Sequence, residues 1–138
     1  MSLPSTVYFI NGNEKVIGMA FVNCGWVDNP ASILDSVQRA YSKAKEYNAI
    51  KNDQYKVDDD RDLMYIKNAK DSIKRIEERE NCELFPNNWE NEWYKILLYN
   101  VVIYRSDLIK LGKEEINRET VEDSIRFQQD ELIKRQKW

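Results

Sequence analysis

Residues 6–22 read TVYFINGNEKVIGMAFV, and this stretch decides the fold. Two runs rich in β-branched and aromatic residues flank Asn11-Gly12, the dipeptide most typical of a tight β-hairpin. A four-residue loop pairs Phe9 with Val16, so that apolar side chains lie opposite each other. Both faces of the predicted hairpin are apolar, and an isolated hairpin is unstable. Other elements must therefore cover it.

Helical periodicity begins after the hairpin. Asn29 is a suitable N-cap before Pro30, and the apolar spacing that follows predicts a helix over 29–49. Acidic residues suit the positive end of a second helix, predicted over 59–80. The apolar positions of this second helix form a narrow seam: Leu63, Ile66, Ala69, Ile73 and Ile76.

Two further helices are predicted over 88–111 and 120–136. The apolar residues 96–104 are also compatible with a strand, so the first of these two assignments has an open alternative. The sequence as a whole predicts one α+β domain over 1–138, rich in helix. In it an N-terminal hairpin, which further strands can extend into a small antiparallel sheet, packs on three to four helices.

The composition of the chain excludes several classes of catalytic and metal-binding site. The 138 residues include no histidine and two cysteines, so His-based triads and His-ligated metal sites are excluded. No glycine-rich phosphate loop or nucleophile elbow occurs. We therefore expect no catalytic residues, metal or cofactor. A small enzyme using carboxylates or Cys24 is the alternative.

The negative charge is local. Residues 57–92 hold eleven acidic and six basic side chains, a net of −5, whereas the rest of the chain sums to +2. Such a face can bind a protein with a basic surface. The alternative is a helix N-terminus with compatible charges. The candidate partner-binding acids are Asp58, Asp59, Asp60 and Asp62.

Aromatic residues supply a second candidate feature. Trp89 and Trp93 lie one turn apart on the predicted third helix, and Tyr94 follows them. Large amphipathic rings are typical of binding hot spots, so we expect these three residues to contribute to partner binding. Packing of both tryptophans in the core is the alternative.

Nucleic-acid association is an alternative function. An isoelectric point near 5.1 argues against a dedicated phosphate binder. The basic residues that would form a positive stripe are Lys43, Lys45, Lys51, Lys134, Arg135 and Lys137.

The preferred hypothesis is a small protein-binding inhibitor of the immunity or phage counter-defence type. Codons rich in A and T would encode the frequent Asn, Lys, Ile and Tyr, which suggests a low-GC bacterial, phage or viral origin. Sparse cysteines favour the cytoplasm, and the longest apolar stretch is too short for a membrane span. The narrow seam of the second helix could also pair across a two-fold axis in a homodimer.

Overall fold

A computed structural model describes residues 4–23, 30–98 and 101–107. The sheet has four strands in the order β2-β1-β3-β4, and every neighbouring pair is antiparallel. The predicted α+β fold is therefore confirmed. No helix within the described ranges is both long enough and apolar enough to cross a membrane. The elements are β1 (Pro4–Asn11), β2 (Val16–Asn23), α1 (Pro30–Lys51), α2 (Asp60–Glu80), α3 (Trp89–Glu92), β3 (Trp93–Leu98) and β4 (Val101–Tyr104).

The hairpin closes through a three-residue loop rather than the predicted four-residue one. The amide of Asn11 donates to the carbonyl of Lys15 at 2.9 Å, and Glu14 has the left-handed conformation with φ 64°. The side chain of Asn11 accepts hydrogen bonds from the amides of Asn13 at 2.9 Å and Lys15 at 3.0 Å. A turn followed by one left-handed residue is a common hairpin connection.

The register differs from the prediction as a result. Phe9 lies opposite Gly18 rather than opposite Val16, which pairs with Ile10. The Asn11–Lys15 closure moves the pairing by one residue, and an irregularity between Phe9 and Ile10 moves it again. Matching apolar side chains across the hairpin therefore predicts the wrong partner for Phe9, because the loop closure and this irregularity set the pairing.

Gly18 is the point of closest packing in the sheet. A Cβ at this position would lie 3.3 Å from Cε1 of Phe85, 3.3 Å from Cε3 of Trp89 and 3.4 Å from Cβ of Phe9. All three rings are buried. The absent side chain thus allows the segment around Phe85 and Trp89 to lie directly on the hairpin.

The helix predicted over 88–111 is wrong for the described part of that range. Trp89–Glu92 and residues 105–107 are helical, and between them the chain forms β3 and β4, with Ile96 paired to both Phe9 and Ile103. The two strands are rich in β-branched and aromatic residues, and the buried side chains of Ile96, Leu98, Val101 and Ile103 alternate with less buried ones, as in an antiparallel sheet with one face on the core. The strand alternative is the correct one for residues 96–98 and 101–104. The helix predicted over 120–136 lies outside the described residues.

The first two helices are confirmed with small shifts of their ends, to Pro30–Lys51 and Asp60–Glu80. Tyr41 contacts Phe9 with ring centroids 6.2 Å apart, and Tyr47 contacts Phe21 at 5.8 Å. Phe9 and Phe21 project from opposite faces of the hairpin, because Phe9 pairs with Gly18 and side chains alternate along β2. α1 therefore contacts both faces of the sheet beside its edge strand β2.

α2 packs near the face of the sheet that carries Tyr8. The guanidinium of Arg79 donates to the Tyr8 hydroxyl at 2.7 Å, and α2 also contacts α1. Its buried residues are Ala69, Ile73 and Ile76. These residues belong to the seam that we considered for a homodimer, and the core of the same chain uses them.

We predict that Gly18→Val lowers the free energy of unfolding by about 1–3 kcal/mol, because the added methyl groups would overlap the buried rings of Phe85 and Trp89. Urea unfolding followed by circular dichroism measures the change. Gly12→Ala is the matched control, since a Cβ there meets nothing within 4 Å and its φ is not positive. Equal stability of wild type and Gly18→Val would show that the close approach is unimportant.

Candidate functional site

The acidic run is the N-terminal cap of α2. Oδ1 of Asp59 accepts from the amides of Arg61 at 2.8 Å and Asp62 at 3.2 Å. Oδ2 of Asp62 accepts from the amides of Asp58 at 2.8 Å and Asp59 at 3.3 Å, which completes a capping box. Two of the four candidate acids, Asp59 and Asp62, therefore stabilise the start of α2. The side chains of Asp58 and Asp60 are exposed and accept no hydrogen bond in this cap.

Three large apolar side chains beside this cap are exposed. The exposed fraction is 47% for Val57, 55% for Leu63 and 60% for Met64. Isolated exposed apolar residues are ordinary, but these three fall within eight residues of sequence, and the four candidate acids lie between Val57 and Leu63. We call Val57, Asp58, Asp60, Leu63 and Met64 together the α2 N-terminal surface.

Sequence reasoning did not identify the apolar part of this surface. Leu63 was assigned to the narrow seam, yet it lies about a third of a turn from the buried stripe that contains Ala69. Met64 falls outside the seam altogether, which was an available signal. Val57 lies in a polar loop, where one apolar residue attracts little notice.

Trp89 and Trp93 are core residues. They are 3% and 9% exposed, and each packs edge-on against Phe9 with ring centroids 5.6 Å apart. The prediction that they lie one turn apart on one helix is wrong, because Trp89 begins α3 and Trp93 begins β3. Tyr94 is 49% exposed and contacts Tyr104 at 5.3 Å. Core packing was the alternative for the two tryptophans.

The lysines named for nucleic-acid binding have partners within the chain. Lys43 forms a 3.0 Å ion pair with Glu46 and lies over the Tyr65 ring, and Lys45 lies over the Tyr41 ring at 4.6 Å. Their charges are thus partly neutralised or directed at aromatic faces. The remaining candidates, Lys134, Arg135 and Lys137, lie outside the described residues.

Lys51 belongs to a half-buried structural network. Its ammonium donates to Oε2 of Glu77 at 3.0 Å and to the carbonyl of Leu84. Oε2 of Glu77 also accepts from the amide of Leu84 at 3.0 Å. This network fixes the turn after α2 against the end of α1. Lys51 is therefore a structural residue here and contributes little to an open positive stripe.

Cys82 is held as a neutral thiol. Burial raises its pKa, and the nearby carboxylates of Glu80 and Glu77 raise it further. Its Sγ donates to the carbonyl of Val16 at 2.9 Å. These features disfavour the thiolate that a nucleophile requires. Cys24, the cysteine considered for an enzyme, lies outside the described residues.

No group of three or more Cys, Asp or Glu side chains in the described ranges is arranged to hold a metal ion. The chain matches no protein-family model, and it shows no significant similarity to a curated protein sequence or to a solved structure.

We predict that Lys51→Met lowers the free energy of unfolding by about 1–3 kcal/mol, because Glu77 and the carbonyl of Leu84 lose a half-buried donor. The control is Lys70→Met, which removes an exposed ion pair with Asp53 and should change stability by less than about 1 kcal/mol. Parallel urea titrations compare the two variants. A loss for Lys51→Met no larger than the control's would contradict this role.

Alkylation by iodoacetamide should report the raised pKa of Cys82. In a Cys24→Ser variant, we expect the folded protein to react more slowly than the urea-unfolded chain at neutral pH. The alkylation rate of the folded protein should also begin to rise at a higher pH than the rate of the unfolded chain. The reason is that folding stabilises the protonated thiol of Cys82. The pH–rate profile of both states is the measurement. A folded-state profile shifted to lower pH would contradict the assignment.

Proposed function

We propose that this protein binds a basic surface of another protein through the α2 N-terminal surface and acts as an inhibitor by occupying it. The observation that supports this function is the placement of three exposed apolar side chains beside the exposed carboxylates of Asp58 and Asp60, of which Asp58 lies 3.9 Å from the Lys56 ammonium. A helix face that interacts only through its charges does not require large exposed apolar side chains such as Leu63 and Met64.

The two components of the surface have different roles in association. Burying Leu63 and Met64 in a partner would contribute roughly 1.5–3 kcal/mol for each side chain, and the flexible thioether of Met64 adapts to an irregular partner surface. Asp58 and Asp60 would accelerate encounter with a basic partner and fix its orientation. Apolar contact then supplies affinity, while charge supplies rate and selectivity.

Inhibition by occupation needs no reacting group in this protein. A partner that holds nucleic acid or another polyanion presents the basic surface that this charge pattern matches. The localised charge is consistent with such a role, since residues 57–92 carry −5 and the rest of the chain +2. The immunity or counter-defence type remains the hypothesis for the biological setting.

The test uses affinity capture from a lysate of the source cells, followed by binding kinetics with the captured partner. We expect the double variant Leu63→Gln, Met64→Gln to weaken binding at least about tenfold, because the apolar contacts are lost. Asp58→Asn with Asp60→Asn should slow association, and the difference from wild type should shrink at high salt. Asp59 and Asp62 stay unchanged, because their loss would remove the helix cap.

The matched control is Asp71→Asn with Glu78→Gln. Both residues are exposed on α2, and the double substitution changes the net charge by the same amount. It should leave the association rate within about twofold of the wild type. A control that slows association as much as Asp58→Asn with Asp60→Asn would show that charge acts without a defined surface. Unchanged binding by the Leu63→Gln, Met64→Gln variant would reject the proposal.

A further inference from the structure

A second surface feature, separate from the α2 N-terminal surface, is a cleft between the C-terminal end of α1 and the segment 85–91. Its volume is about 650 Å³, which is within the usual range for small-molecule sites. Six of its ten lining residues carry a side-chain amide, and none carries a basic group. The amide residues are Asn48, Asn52, Gln54, Asn87, Asn88 and Asn91.

The wall formed by residues 85–91 is held firmly by the rest of the fold. The amide of Phe85 donates to the carbonyl of Ile17 at 2.7 Å, and the Tyr41 hydroxyl donates to Oε2 of Glu90 at 3.1 Å. The ring of Trp89 packs in the core. The cleft is therefore formed before any ligand arrives, which lowers the entropic cost of binding.

Two of the five non-glycine residues with positive φ in the described ranges lie in this wall. Phe85 has φ 57° and Asn88 has φ 67°, both in the left-handed region. Asparagine adopts this conformation readily, but it is unfavourable for a bulky residue such as Phe85. Strained residues of this kind persist where the surrounding structure fixes them, and they are concentrated at functional sites.

The donors and acceptors of the cleft define the ligand chemistry. Nδ2 of Asn52 donates to the carbonyl of Asn48 at 3.0 Å and to Oδ1 of Asn48 at 3.1 Å. This pair leaves the Asn48 Nδ2 donors and the Asn52 Oδ1 acceptor for a ligand. Asn87, Asn88 and Asn91 are exposed, so each offers both donors and acceptors. Phosphates are disfavoured, since the cleft has a carboxylate at Glu90 and no cation.

We propose that this cleft binds an uncharged saccharide of one or two sugar rings. Each sugar hydroxyl both donates and accepts a hydrogen bond, as each amide side chain does, and the volume suits a ligand of this size. An extended peptide is the weaker match, because its backbone groups are most fully satisfied along an open strand edge, whereas this cleft offers side-chain amides. The affinity rests on neutral hydrogen bonds and is therefore in the millimolar range.

The experiment is titration of the ¹⁵N-labelled full chain with maltose, cellobiose and N,N′-diacetylchitobiose, observed by NMR. We expect at least one sugar to give saturable shifts of the side-chain amides of the cleft. In Asn87→Ala, Asn91→Ala the binding should be about five- to tenfold weaker. Asn68→Ala, an exposed amide on α2, is the control and should bind as the wild type does.

Three outcomes would overturn the proposal. The first is no shift of the cleft amides with any of the three sugars, and the second is equal binding by wild type and the Asn87→Ala, Asn91→Ala variant. The third is a shift of the same amides by the neutral peptide Ala-Gln-Ala but by none of the sugars, which would assign the cleft to peptides. Circular dichroism of each variant confirms that it is folded.

Discussion

Phe9 packs edge-on against Trp89 and Trp93 and tilted against Tyr41, and these contacts join the hairpin, α1 and the segment that leads into β3. Such aromatic pairs are worth about 0.5–1.5 kcal/mol each beyond the area they bury. The absence of a side chain at Gly18 makes this arrangement possible, since it leaves room for the rings of Trp89 and Phe85. The strand order and the cleft wall both depend on this cluster.

The cluster also determines which residues remain for binding. Because Trp89 and Trp93 are buried, the aromatic side chains that are most typical of interaction hot spots stabilise the fold instead. Exposed apolar area is found instead at Val57, Leu63 and Met64, beside the cap of α2. The proposed binding surface is thus smaller and more aliphatic than the sequence alone indicated.

Local signals in the sequence predicted local structure well. The acidic residues at 58–60 predicted the start of α2, because negative charge suits the positive end of a helix, and the structure adds a capping box between Asp59 and Asp62. The stretch that forms β3 and β4 could not be assigned by periodicity, because the less buried positions between its core residues, such as Leu97 and Val102, are apolar as well and hide the alternation of burial. The partner of Phe9 in β2 depended on the left-handed conformation of Glu14, which no residue preference indicates. The amide cleft joins residues about forty positions apart, so only the fold reveals it.

We propose that partner contact occurs at the N-terminal end of α2. Site-specific photo-crosslinking in the source cells tests it most directly, with a benzophenone side chain at position 64 and, in a second variant, at position 78 of the same helix. If the α2 N-terminal surface contacts the partner, we expect a discrete crosslinked species from position 64 and none from position 78. Crosslinks of equal yield from both positions, or a discrete species from position 78 alone, would contradict it.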